Sequence, residues 1–190
     1  MRTVMTSRSP VRLKKKLLDQ RQTELWFTIV PPPHIRSDVS VLRDDIHYLM
    51  GHGFEGQRSM PLVSLFRYTG EYGHDLMDLV ENRAKKWEPF NVFLKDFGYS
   101  VQGDRRSIYI DLVNRYAITE LVEHLTGFSE NIWPVLPLAR NLSSGDFLKC
   151  WPYLKALNYG NQHFPCTEIT VFKRENGKWI KERIISLGAE

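Results

Sequence analysis

The sequence predicts an α+β fold in which antiparallel strand pairs alternate with helices. Runs rich in β-branched and aromatic residues alternate with segments whose apolar residues recur at helical spacing. Several neighbouring strands are joined by short turns, as antiparallel strands are. The second half of the chain also repeats the element order of the first half, so we expect two similar lobes that face each other.

The first strand is predicted at Glu24–Val30, because three consecutive prolines stop this β-branched and aromatic run. A helix follows, for which Ser37 or Asp38 is the predicted N-cap and Gly51 marks the end. Its apolar residues lie three and four positions apart, at Val39, Leu42, Ile46 and Leu49. This spacing is typical of an amphipathic helix.

A second strand and a second helix are predicted next. Met60–Tyr68 predicts a strand, and Gly70 and Gly73 separate it from a second helix. The apolar face of that helix is predicted at Leu76, Leu79, Val80, Ala84 and Trp87. Phe90–Phe97 and Ser107–Val113 next flank a polar connection over 98–106, as an antiparallel pair would.

A third helix is predicted to end near Gly127. Its predicted apolar face consists of Ile118, Leu121, Val122, Leu125 and Phe128. Ile132–Ala139 then resembles the Met60–Tyr68 strand in position and composition. Ser143 or Ser144 is the predicted cap of a fourth helix that runs through Leu157.

The chain closes with a predicted hairpin. Cys166–Phe172 opens it, and Asn176-Gly177 is a dipeptide that two-residue hairpin turns favour. Trp179–Leu187 forms the returning strand.

The amino-acid composition argues against two classes of protein, secreted disulfide scaffolds and membrane proteins. The chain has 190 residues, of which 42% are hydrophobic and 25% charged, so it can bury a core without disulfides. Its two cysteines, Cys150 and Cys166, are too few for a secreted disulfide scaffold, and we expect a cytoplasmic location. No apolar stretch approaches the roughly 18 residues that cross a bilayer, which argues against a membrane protein.

The net charge of +4 is unevenly placed. Residues 1–22 hold seven cations and one acid, so this segment carries +6 and the remainder carries −2. We therefore predict a basic, disordered tail over 1–22 and one bilobal domain over 23–190. The tail suits weak contact with nucleic acid, whereas the mildly acidic body does not.

Three segments carry a resemblance to a known family: Ser59–Phe66, Trp133–Arg140 and the closing hairpin Ile169–Trp179. They stand where the two-histidine phosphoesterase superfamily has its two motif strands and its ending. That superfamily includes 2′-5′ RNA ligase-like proteins and cyclic phosphodiesterases. The resemblance covers residues 24–187 and implies two pseudo-symmetric lobes, with antiparallel sheets facing a central cleft and helices outside.

The family chemistry implied by this resemblance needs two histidines, one as base and one as acid, and two Ser or Thr hydroxyls that bind phosphate. In this chain the first pair of positions holds Leu62 and Ser64, and the second pair holds Val135 and Pro137. Each lost acid or base costs about 10²- to 10⁴-fold in rate. The resemblance therefore implies that the RNA 2′,3′-cyclic phosphodiesterase or 2′-5′ ligase activity is absent or residual.

The sequence thus predicts a degenerate, non-catalytic binding or regulatory module for a phosphate-containing ligand or nucleotide. Ser64, Arg67 and Arg140 are the predicted ligand-binding residues, because guanidinium groups and hydroxyls suit phosphate. No histidine or cysteine spacing indicates a metal site, and no motif indicates a cofactor.

Two alternatives stay open from the sequence. One is a residual or altered phosphoesterase that uses other residues, with His163 beside Asp111 or Glu168 as the candidates. The other is an interaction protein that acts through its basic tail.

Overall fold

The computed structural model describes residues 22–71, 73–128 and 132–188, so residues 1–21 of the predicted basic tail lie outside the described residues. Strands and helices follow one another in the order β1 (Thr23–Ile29), α1 (Pro33–Met50), β2 (Val63–Gly70), α2 (Gly73–Ala84), β3 (Phe90–Gln102), β4 (Arg105–Leu112), α3 (Arg115–Thr126), β5 (Leu136–Leu142), α4 (Ser144–Ala156), β6 (His163–Cys166), β7 (Glu168–Glu175) and β8 (Lys178–Ser186). Within this part of the chain, no helix is long and apolar enough to span a bilayer.

The strands form two four-stranded antiparallel sheets. Sheet A has the order β2-β1-β7-β8, and sheet B has the order β5-β4-β3-β6. Every strand pair in both sheets is antiparallel. The predicted α+β fold with two lobes is therefore confirmed.

Two helices pack against the sheet of the other lobe. Helix α1 follows a strand of sheet A, yet it contacts β5 of sheet B and helix α4. Helix α3 follows a strand of sheet B, yet it contacts β2 of sheet A and helix α2. Each lobe therefore holds a helix that the sequence places after the other lobe's strand.

One continuous apolar core connects these layers. In β1 the alternation of side chains buries Leu25, Phe27 and Ile29. The ring of Phe27 stacks on that of Phe66 in β2, with centroids 4.3 Å apart. Burial of each such side chain stabilises the fold by roughly 1.5–3 kcal/mol.

Helix α1 begins earlier than predicted. Its N-cap is Pro32 and its first residue is Pro33, so Ser37 and Asp38 lie within the helix rather than capping it. A proline at the first helical position costs nothing, because its missing N–H would have no partner there and its φ is already helical. The predicted end is confirmed, since Gly51 adopts the left-handed conformation with φ 80°.

The polar segment 98–106 is mostly strand, which corrects the predicted connection. Strand β3 continues to Gln102, and the turn to β4 contains Gly103 with φ 61°. Polar side chains are tolerated because this end of the hairpin is exposed.

Two apolar faces also differ from prediction. In α2 the buried residues are Gly73, Met77, Val80 and Ala84, whereas Leu79 is 44% exposed. Phe128 is 74% exposed, because it follows the left-handed Gly127 that ends α3 and turns the chain away from the core.

The last predicted hairpin needs one correction. Cys166 ends β6 in sheet B, and β7 begins at Glu168 in sheet A, so Thr167 alone joins strands of different sheets. The hairpin itself, β7 with β8, is confirmed. Its turn residues Asn176 and Gly177 have φ 49° and 79°, the conformation that an Asn-Gly turn supplies.

Candidate ligand-binding site between the two sheets

Sheet A presents an aromatic surface on the face opposite Leu25 and Phe27, which belong to the core. Because Leu25 and Phe27 point into the core, Trp26 between them points to the other side of β1. Trp26 lies opposite Arg67 of β2 and Phe172 of β7 in the strand registers. The indole of Trp179 in β8 lies 5.3 Å from that of Trp26, measured between ring centroids, and the two rings are tilted by 56°.

A cavity of about 280 Å³ lies between this surface and sheet B. Both sheets, helix α1 and the segment before β2 contribute to its lining. We call it the first cavity, and its lining residues are Trp26, Arg43, Ser59, Met60, Leu62, Pro137, Arg140, Phe172 and Trp179. Aromatic and apolar side chains dominate, and two arginines supply positive charge.

A second cavity of about 250 Å³ lies on the sheet B side. It is lined by Ser100, Ser107, Ile108, Tyr109, Trp133, Val135, Pro137 and Arg140. Pro137 and Arg140 therefore line both cavities. Among the described residues, neither lining contains a histidine, a carboxylate or a cysteine.

Arg43 is a buried guanidinium at the first cavity, only 3% exposed. Its Nε donates to the carbonyl of Leu138 at 3.1 Å, and its Nη2 donates to that of Pro137 at 2.8 Å. Its Nη1 donates to the carbonyl of Ser59. Burial, and then the nearby charge of Arg140, lower the pKa of Arg43 to about 10. The Arg43 side chain on α1 therefore links β5 to the segment that precedes β2.

Arg140 and Arg67 are two further guanidinium groups near this surface. Within the described part of the chain, neither guanidinium has a hydrogen bond or ion pair. The Cζ of Arg67 lies 4.4 Å from the ring centroid of Trp26 and 5.4 Å from that of Trp179. Burial, and then the like charges of Arg140 and Arg174, lower the pKa of Arg67 against a smaller opposing effect of Glu24. An anion between these cations would relieve their repulsion.

The structure brings only some of the predicted motif positions together. Leu62 is 5% exposed and lines the first cavity, whereas Val135 lines only the second. Pro137 lines both cavities. The Oγ of Ser64 accepts a hydrogen bond of 2.8 Å from Trp26 Nε1 and is outside both linings, so its role in ligand binding stays a prediction.

The alternative residues named from the sequence lie apart. His163 lies on β6 opposite Phe93, with their ring centroids 5.5 Å apart. Asp111 accepts hydrogen bonds from Arg115 and from the backbone of Leu112. Glu168 begins β7 in the other sheet, and no described contact joins it to His163. Within the described residues, no cluster of three or more His, Cys, Asp or Glu could hold a metal ion.

Sequence reasoning missed Arg43, Trp26 and Trp179. A signal for Arg43 was present, because it occupies the apolar stripe of α1, four residues after Val39 and three before Ile46. A charged residue in such a stripe needs buried partners. The alternation of β1 gave a signal for Trp26, whereas nothing local distinguishes Trp179.

Solved structures share this fold at low sequence identity. LigT of E. coli complexed with 3′-AMP matches with a TM-score of 0.63 and 16% identity, over 88% of this chain and 98% of LigT. TT0787 of Thermus thermophilus matches with a TM-score of 0.58 and 16% identity, over 88% of this chain and 99% of that one. No protein-family model and no curated protein sequence matches this chain. The fold predicted from the resemblance to two-histidine phosphoesterases is therefore confirmed.

Proposed function

We propose that this chain, whose fold is that of LigT, is a binding or regulatory module that holds a phosphate-containing ligand or nucleotide without converting it. The observation that carries the proposal is Arg140, which lines the first cavity beside the buried Arg43 and has no ion pair within the described residues. Arg67 lies close by, over the rings of Trp26 and Trp179. Guanidinium groups form bidentate hydrogen bonds with phosphate. LigT itself has been solved with 3′-AMP, with phosphate and with ATP, which supports a ligand of this class.

The residues in the linings support a role without turnover. Phosphodiester cleavage by general acid and base needs two groups that exchange protons near neutral pH. Leu62, Val135 and Pro137 occupy three of the four positions where the resemblance implies functional side chains, and none of them can exchange a proton. This set of residues suits ligand binding without turnover.

A cytoplasmic setting is part of the proposal. Cys150 and Cys166 are both buried free thiols, which suits a reducing compartment. Burial raises the pKa of Cys150 to about 11 and that of Cys166 to about 12, so neither is a reactive thiolate. A weak nucleic-acid contact through the basic tail stays a prediction.

Isothermal titration calorimetry with inorganic phosphate and with 3′-AMP tests the binding. We expect Arg140→Gln to weaken both affinities by about 10- to 100-fold, because a charge-assisted hydrogen bond is lost. The matched control is Arg183→Gln, which removes the same charge where Arg183 pairs with Asp78 and Glu81 between β8 and α2. Equal affinities in both variants, or no binding to the wild type, would contradict the proposal.

Phosphorus NMR of the protein with a nucleoside 2′,3′-cyclic monophosphate tests the absence of turnover. We expect no hydrolysis above the protein-free rate. Hydrolysis by the wild type that Arg140→Gln abolishes would show that this site is catalytic after all.

A further inference from the structure

We propose that one edge of strand β3 binds an extended acidic segment of a partner protein, which adds to sheet B as a further β-strand. The edge consists of residues 95–102 of β3, and we call it the free edge. None of its residues lines the first cavity, so the proposal goes beyond the proposed function and does not rest on it.

Most of β3 has a neighbouring strand on only one side. The strand spans Phe90–Gln102, but β6 pairs with Phe90–Phe93 alone. On the other side, β4 pairs with β3 as far as Gln102. Outside this β3–β4 pairing, the backbone of the free edge makes one hydrogen bond within the described residues, from Tyr109 Oη to the carbonyl of Tyr99 at 3.2 Å. The free edge therefore offers backbone donors and acceptors to an added strand.

The free edge lacks the features that protect the edges of other strands in this molecule. It has no proline, and no residue from Phe97 to Gln102 is charged. By contrast, β6 contains Pro165, β5 contains Pro137, and β8 has a bulge beside the charged residues 181–183. Proline, charge and bulges prevent an edge strand from pairing with another chain. An exposed edge without them is a template for such pairing.

An apolar groove between β3 and α4 runs along the free edge, on the helix side of sheet B. Alternate side chains of β3 face this side, so Tyr99 and Val101 both lie in the groove. The ring centroid of Tyr99 lies 5.0 Å from that of Phe147 and 5.0 Å from that of Trp151, both on α4. Tyr99 is 47% exposed, Val101 57% and Leu148 of α4 67%. Every second side chain of an added strand would cover these exposed groups.

Three cations lie beside this groove. The Cζ of Arg106 lies 5.7 Å from the ring centroid of Phe147. Lys155 follows Trp151 by one turn on the same face of α4, and Lys95 begins the free edge. Within residues 22–71, 73–128 and 132–188, none of the three cations forms an ion pair. The groove therefore carries uncompensated positive charge.

Asp96 and Asp104, which lie next to the cations in the chain, already have partners. Asp96 Oδ1 accepts a hydrogen bond of 3.3 Å from the backbone N–H of Tyr159. Asp104 Oδ2 lies 3.7 Å from Arg105 Nε in the turn between β3 and β4. Carboxylates of an added strand would therefore be the counter-ions of the three cations.

Charge also distinguishes between the possible occupants. Residues 1–21 of this chain hold seven cations and one acid, so they carry charge of the same sign as the groove. A second copy of the chain would bring the same three cations to the edge. A partner segment with acidic residues is attracted instead. Apolar residues at alternate positions of that segment would match the groove.

Fluorescence anisotropy with a synthetic peptide tests the proposal. The probe is a fluorescein-labelled peptide of alternating Val and Thr with Glu residues at both ends. We expect the full-length protein to bind it, and to bind the same peptide with Lys in place of Glu at least about 10-fold more weakly. A peptide N-methylated along its central part cannot donate backbone hydrogen bonds to the edge, so we expect it not to bind.

Val101→Asn tests the location of the binding. We expect this variant to bind the acidic peptide about 5-fold more weakly, because apolar contact with the groove is lost. Val41→Asn on α1 is the matched control, because Val41 is 58% exposed and Val101 57%. Val41→Asn should keep the full affinity for the peptide. Both variants should keep the affinity of the wild type for inorganic phosphate.

Arg106→Gln tests the contribution of charge. We expect it to weaken peptide binding by about 2- to 5-fold at low salt and by less at high salt, because salt screens an exposed ion pair. Arg183→Gln is the control, since Arg183 pairs with Asp78 and Glu81 away from the free edge.

Several results would overturn the proposal. They are no binding of the acidic peptide by the wild type, equal binding of the N-methylated peptide, and equal losses in Val41→Asn and Val101→Asn. If light scattering shows a wild-type dimer that Val101→Asn converts to a monomer, a second copy occupies the edge instead. If a synthetic peptide of residues 1–21 displaces the acidic probe, the chain's own segment occupies it. None of these outcomes bears on phosphate binding at the first cavity, which is measured separately.

Discussion

Arg43 shows how one residue determines the geometry of the site. Its three hydrogen bonds to backbone carbonyls join β5, which carries Pro137 and Arg140, to the segment at Ser59. A buried guanidinium without a carboxylate is costly, so carbonyl dipoles must satisfy its donors. The position of Arg140 therefore depends on a residue that is itself out of reach of solvent.

We predict that Arg43→Met lowers the free energy of unfolding by about 2–5 kcal/mol, because buried carbonyls lose their donors. Urea denaturation measures this as a shift of the midpoint with an unchanged slope. Arg36→Met is the control on the same helix, because the Nε of Arg36 has no hydrogen-bond partner. A loss of similar size in Arg36→Met would contradict the role assigned to Arg43.

Local signals predicted most elements and missed most of the site. The proline stop after β1, Gly127 at the end of α3 and the cap Ser143 act within a few residues, and all appear as expected. The Ser143 Oγ accepts from the backbone of Asp146 at 3.1 Å, as an N-cap does. The site depends on contacts such as that of Arg43 with Leu138, 95 residues apart, which no local pattern encodes.

At the scale of elements, the connection between α1 and β2 is attached to β5 of sheet B and to helix α4. The backbone N–H of Arg140 donates to the carbonyl of Glu55 at 3.2 Å. His52 Nε2 lies 3.1 Å from Asp146 Oδ1 at the start of α4. This connection also supplies Ser59 and Met60 to the first cavity, so its attachment influences the shape of the cavity.

The attachment through His52 depends on pH. The pKa of His52 is raised, first because its ring bonds the carbonyl of Gly53 and then because it bonds Asp146, against smaller opposing effects of desolvation and of Lys149. The pKa of Asp146 is lowered, first by the Ser143 hydroxyl and then by His52. The His52 contribution to stability is thus fully present below its unfolded pKa of about 6.5 and is lost as pH rises through the folded value.

We predict that His52→Gln destabilises the protein more at pH 5.5 than at pH 8, because the charge of wild-type His52 is progressively lost as pH rises through its raised folded pKa. Urea denaturation of both proteins at the two pH values measures the difference. His34→Gln, which removes an exposed imidazole at the start of α1, is the control. A larger effect of His52→Gln at pH 8 than at pH 5.5 would contradict the prediction.

At the scale of the whole molecule, the two lobes are interlaced. Sheet A takes strands from both ends of the described chain, and helices α1 and α3 each cover the sheet of the other lobe. The buried side chains of both sheets belong to one core. Neither lobe can bury its apolar face alone.

We predict that residues 23–190 unfold as a single cooperative unit, as expected for one bilobal domain. Urea transitions followed by far-UV circular dichroism and by tryptophan fluorescence should coincide. Trp26 and Trp179 report on sheet A, and Trp151 reports on α4 beside sheet B. Two separate transitions would show that the lobes are independent domains.

The central place of β1 in sheet A has a consequence during synthesis. Buried Thr28 donates to the carbonyl of Thr170 on β7, which is 142 residues later in the chain. At about 5–20 residues per second, a ribosome takes roughly 7–28 s to make that stretch. During this time β1 presents an unpaired strand edge, which is a template for aggregation. Since β2 pairs with the opposite edge of β1, the nascent chain depends on another cover for that edge, such as a chaperone, until the C-terminal hairpin emerges.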